Sequence, residues 1–191
     1  MNATIPTTEL SQERRDWLET LHAHREFLKV TTQGMTDEQA TTRSTVSALT
    51  LAGLIKHVAQ VEAQWARFAL EGADAFAGQP WVGLDWAGLA TLSAEASSEM
   101  TSDYESGFAM LPGETLAGLL AEYDAVAART DELVATLDLD HVHPLPVAPW
   151  HEPGSAWSIR RAFAHIVAET AQHSGHADII REAIDGSKTM G

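Results

Sequence analysis

Four stretches of the chain repeat apolar residues at the three-and-four spacing of a helix face, and polar or turn-forming segments separate them. The first runs from Glu9 to Gln33, with Thr8 as its expected N-cap and Leu10, Trp17, Leu21, Leu28 and Val30 as apolar positions. A connection rich in Thr and Ser follows, Gly34 to Ser47. Within it Thr36-Asp-Glu-Gln39 has the form of a capping box and predicts one short turn. The second helix is expected over Thr50 to Leu70, with Leu51, Leu54, Ile55, Val58, Val61, Trp65 and Phe68 as its inward stripe and Gly72 as its stop. From Ala73 to Gly113 the pattern weakens into a Gly-rich, acidic stretch marked by Trp81, Trp86 and Leu89. This predicts a long loop with one or two short helices over one end of the core, of the kind that forms lids and binding walls.

The third helix is expected from Glu114 to Leu137, and the last from Ser158 to Asp185 with Gly186 just past its end. Between them, the four prolines from Pro144 to Pro153 forbid a helix and favour extended backbone. There is no alternating strand pattern and no internal repeat. Four long helices predict an all-α four-helix bundle with a long connection between helices two and three, forming a single domain over residues 1–191.

The last helix carries more than apolar residues on its inward side. His165, Glu169, His173 and His176 follow in steps of four and three, which keeps them within an arc of about 80°. Ile166, Ile180 and Ile184 share that side, while Arg160, Asp178, Arg181, Glu182 and Asp185 lie opposite. Polar groups in a core are costly unless hydrogen-bonded or ligated. Two readings therefore stand: a metal ion, or a set of hydrogen-bonded core residues. Glu169 and His173, four apart, can reach one ion from successive turns. A third ligand must come from elsewhere, and His57 is the best candidate because Leu54, Val58 and Val61 around it belong to the inward stripe. Two imidazoles and a carboxylate suit zinc, and also nickel or iron(II), and three protein ligands leave positions open for water or substrate. His141 and His143 in the proline-rich segment are a weaker metal pair. Arg160 and Arg161 could meet a substrate carboxylate, although a helix start disfavours arginine.

The formal net charge of −15 argues against nucleic-acid binding and against anionic membrane lipid. No apolar run approaches membrane-spanning length, and the first residues carry no charged segment leading into an apolar one, so neither a membrane anchor nor a signal peptide is expected. The chain has no cysteine, which fits a cytoplasmic location and excludes thiolate ligation or a Cys nucleophile.

Two segments bear a family resemblance. Trp157-Ser-Ile-Arg160-Arg-Ala-Phe-Ala-His165-Ile-Val-Ala-Glu169-Thr-Ala-Gln-His173-Ser-Gly-His176, continuing to Gly186, closely resembles the closing motif of an actinobacterial branch of the DinB superfamily. Thr50-Leu-Ala-Gly53-Leu-Ile-Lys-His57-Val-Ala-Gln-Val-Glu62-Ala-Gln-Trp65 is similar to that branch's second-helix motif, whereas Ala73 to Gly113 adds little. The resemblance implies a DinB-like four-helix bundle with a divalent metal held by one residue of the second helix and two of the last. Many members use three histidines; the mycothiol-dependent maleylpyruvate isomerase subgroup uses His, Glu and His. By position those are His57, Glu169 and His173. His165 and His176 have no role in that pattern and could orient ligands, bind substrate or relay protons.

The resemblance further implies a low-molecular-weight thiol as cosubstrate, mycothiol or, in other branches, bacillithiol. A chain without cysteine must receive such a thiol from solution. The expected activity is then thiol transfer to a small electrophilic substrate. Two alternatives remain open. The same ion could activate water for hydrolysis, with Glu62, His165 or His176 as the base. Or the metal could only stabilise a non-catalytic binding module. Many relatives pair as homodimers, and an exposed stripe on the first helix could serve that purpose.

Overall fold

The computed structural model describes residues 10–189. It is an all-α, DinB-like bundle of four long helices: α1 (Gln12–Val30), α3 (Leu51–Glu71), α6 (Leu116–Thr136) and α7 (Ile159–Asp185). α3 packs on α6 and α7, and α1 packs on α7 and α6, which closes the bundle. The expected cap Thr8 and start Glu9 lie outside the described residues; Ser11 caps α1 through its side chain. Thr50, Thr115 and Ser158 cap the other three in the same way, each accepting a backbone N–H of the first turn. α3 stops at Gly72 and α7 at Gly186, both at positive φ, which glycine adopts without strain. The capping box at Thr36 forms and starts the short α2 (Asp37–Ala40).

The connection between α3 and α6 holds α4 (Trp86–Ala90) and α5 (Ala94–Gly107). At 14 residues, α5 is longer than the short helix expected there. Two three-residue strands, β1 (Val142–Pro144) and β2 (Ala156–Ser158), pair antiparallel in the proline-rich segment. They are too short to show alternation in the sequence.

The core is divided. One apolar cluster contains Leu21, Trp65, Phe68, Val134, Phe163 and Ile166, and the other Leu28, Leu54, Ile55, Val58, Tyr123 and Ile180. Between them each long helix contributes one buried polar residue: Arg25, Glu62, Thr130 and Thr170. Arg25 donates from Nε to Oε2 of Glu62 at 3.2 Å and from Nη2 to its Oε1, and also pairs with Asp131 at 2.8 Å. The hydroxyls of Thr130 and Thr170 donate to carbonyls one turn back on their own helices. This polar level is the height at which α7 presents Glu169 and His173. Among the described residues no helix is long and apolar enough to cross a membrane.

Candidate metal centre

α3 and α7 lie side by side, so residues on their facing edges meet. His57 comes from the second turn of α3, and Glu169 and His173 come from successive turns of α7. One imidazole nitrogen from each histidine and one oxygen of Glu169 all lie within 4.8 Å of one another. Nε2 of His173 is 3.6 Å from Oε2 of Glu169, and Nε2 of His165 is 3.7 Å from Oε1. These separations are too long for hydrogen bonds. Ligands 2.0–2.1 Å from a tetrahedral ion stand roughly 3.4 Å apart, so Glu169 and His173 are spaced as partners of a common ion would be. The side chains of His165, Glu169 and His173 keep 30%, 28% and 12% of their surface. The sequence pattern predicts a buried face; the cluster is half-buried instead and keeps contact with solvent.

Burial and the neighbouring His173 hold His57 down to a pKa of about 4. His173 is lowered by burial and by His176, against the opposing pull of Glu169. Burial also lowers His165, with Arg161 adding to it and Glu169 opposing. All three imidazoles are therefore neutral at pH 7 and keep a lone pair for a cation or a proton. Nδ1 of His176 lies 3.3 Å from Nδ1 of His173. Only one of those nitrogens can carry the proton. If His173 donates it, its Nε2 is free on the side of Glu169, so His176 is placed to set the tautomer.

The surroundings of the cluster are aromatic. Phe108 stacks on His57 with centroids 3.8 Å apart and planes at 19°. This contact needs Gly53, one turn before His57: a Cβ there would lie 2.0 Å from the Phe108 carbonyl oxygen. On the other flank, Trp65 and Trp157 stand roughly perpendicular to His165, with ring centroids 4.7 and 5.4 Å from its own. Cavities of about 820 and 900 Å³ lie on either side of α5. Phe108 lines the first; Gln60, one turn beyond His57, lines the second together with Trp81 and Trp150.

Not every sequence candidate joins this cluster. Glu62, considered as a base, is fully buried with each oxygen accepting a hydrogen bond from Arg25, away from the solvent-accessible cluster. Arg160 is engaged by Glu13 and Asp140 rather than left for a substrate. His143 bonds the Ala69 carbonyl oxygen, and with His141 it finds no third ligand among the described residues. Two contributors escape the sequence reading. Phe108 sits where the apolar pattern is weakest. Arg25 lies between Leu21 and Leu28 on the apolar side of α1, and an opposite charge at Glu62 on the stripe of α3 is the signal that could have paired them.

A family described as mycothiol-S-transferase matches residues 16–186 of the chain. Among solved structures, the crystal structure of the conserved protein of locus from Enterococcus faecalis is similar over 91% of this chain and 97% of that chain, with a TM-score of 0.59 and 19% sequence identity. At that identity the likeness concerns the fold alone. None of the curated proteins matches the chain.

Proposed function

Because the chain belongs to the mycothiol-S-transferase family, we propose that it joins mycothiol to a small electrophile at a zinc ion held by His57, Glu169 and His173. The observation that carries this reading is the convergence of an imidazole of α3 with a carboxylate and an imidazole of α7. The donor set suits such an ion: two neutral imidazoles, one carboxylate, and room for further ligands. Bound zinc would favour the thiolate, the nucleophilic form of an arriving thiol.

The chain's own residues do the rest. His165, neutral and 30% exposed, accepts the thiol proton. Trp65 and Trp157 limit water around it. His176 keeps His173 in the ligating tautomer. Phe108 fixes the ring of His57. The sulfur then forms a bond to the electrophilic carbon, and the displaced electron pair leaves with a group or stays on the adduct. The reaction belongs in the cytoplasm, where small thiols stay reduced, and residues 1–191 act as a single DinB-like metal-binding domain.

The test is to substitute cobalt for zinc and titrate with mycothiol while following the visible absorption. New sulfur-to-cobalt bands, and thiol consumption with electrophiles such as monobromobimane, are expected. An unchanged spectrum would remove the thiol from the site. Turnover of simple esters or lactones without thiol would assign the centre to hydrolysis.

A further inference from the structure

Of the chain's twelve lysines and arginines, only Arg43 and Arg161 make no side-chain hydrogen bond or ion pair among the described residues. With 27 Asp and Glu in the chain, acidic partners are plentiful, so an unpaired cation beside a candidate active site asks for a reason. Arg161 has a defined position. Its guanidinium carbon lies 4.4 Å from the centroid of Trp157. That indole stacks on Trp65 at 4.7 Å and meets His165. The guanidinium therefore rests on the aromatic wall that shelters the proposed base.

Its place on α7 is also telling. Arg161, His165, Glu169 and His173 succeed one another at four-residue steps, so they form one stripe. Arg161 stands in the first turn, where the helix dipole disfavours a cation. Its neighbour Arg160 offsets that cost with Glu13 and Asp140. Arg161 has no such partner among the described residues and remains exposed. A cation without a partner among the described residues, placed against the dipole and over an indole, is arranged for an anion that comes from solution.

We infer that Arg161 binds a carboxylate of the electrophilic substrate, so that the acceptor of the thiol is an anion. This rests on the thiol-transfer reading of the centre. The planar guanidinium fork matches a carboxylate with two parallel hydrogen bonds. Trp157, 4.4 Å below the guanidinium carbon, supports it by a cation–π contact. Eight residues separate Arg161 from Glu169, about 12 Å of helix axis. The carboxylate is thus at the far end of the substrate, several bonds from the carbon that meets sulfur.

The experiment uses the zinc-loaded full chain and two unreactive probes, 4-phenylbutyrate and its amide, with tryptophan fluorescence as the signal. Wild type should bind the acid about tenfold or more tightly than the amide. Arg161→Gln should weaken the acid to the level of the amide and leave the amide unchanged. Arg161→Lys, which keeps the charge without the fork, should fall between. Arg43→Gln should preserve the wild-type preference. Equal affinity for the two probes in wild type, no saturable binding of the acid, or an unchanged preference in Arg161→Gln would overturn the inference. So would loss of the preference in Arg43→Gln. Neither probe reacts with a thiol, so the result is independent of turnover. Failure of every electrophile to consume thiol would count against the enzymatic reading alone.

Discussion

Replacing Arg25 with methionine removes both donors that hold Glu62. The methionine fills much of the same volume, so the change acts mainly on charge. Glu62 has no exposed surface and Arg25 only 4%, so solvent cannot replace the lost bonds. Breaking one side of such a pair costs about 3–5 kcal/mol. Arg25 also pairs with Asp131, whose side chain is 37% exposed and can turn to water at little cost. The burden therefore falls on Glu62. An unpaired buried carboxylate favours its protonated form, so the folded variant takes up a proton that the unfolded chain holds only at lower pH. Stability then falls as pH rises, and the loss should be larger at pH 8 than at pH 5. Removing both charges, as Arg25→Met with Glu62→Leu, should return stability to within about 1–2 kcal/mol of wild type or above it. Urea unfolding of the three proteins at both pH values measures this. A loss below about 1 kcal/mol in Arg25→Met at pH 8, or a double variant as unstable as the single one, would refute the reasoning. The double variant also asks whether Glu62 serves only structure: a folded protein that still consumes thiol needs no base at that position.

Gly53→Ala places a methyl group against the Phe108 carbonyl; it should release Phe108 from His57 and lower stability by about 1–3 kcal/mol, read from the unfolding midpoint and from the His57 ring signals in NMR. In the metal-free protein the imidazolium of His57 is disfavoured by burial and by His173. The unfolded chain takes up that proton first, so the stability from this group is full above about pH 6.5 and is lost as pH falls toward 4. After allowance for solvent screening the loss is roughly 1–2 kcal/mol; His57→Gln should lack that part of the acid slope in a melting series. His176→Ala should weaken zinc binding about 10- to 100-fold in competition with a chelating dye, because His173 loses the partner that sets its tautomer. Unchanged affinity would show that His173 orients itself.

Much of this architecture is legible from period alone. The stripe from Leu51 to Phe68 defines α3, and the four-residue steps from His165 to His173 put the polar cluster on one edge of α7. Those signals are local, and the caps at Thr50 and Ser158 reinforce them. α5 is harder to see because nothing on it is buried; Met100 and Tyr104 are its only large apolar side chains, too few to set a period. Contacts between distant residues are also hidden. Phe108 on His57, Trp157 on Trp65 and Arg25 on Glu62 each join different elements. The sequence shows that Arg25 and Glu62 are polar residues on apolar stripes, but only the packing of α1 against its neighbours decides that they neutralise one another. In the same way Glu62 reads as a free base until its partner is known.

The most direct measurement is the divalent metal content of the purified protein after zinc loading and desalting, for wild type and for His173→Ala, with circular dichroism to confirm that both are folded. About one ion per chain in wild type, and little in the variant, is the expected result. A folded wild-type protein that retains no ion, or a variant that retains as much as wild type, would contradict the proposal that His57, Glu169 and His173 share a metal.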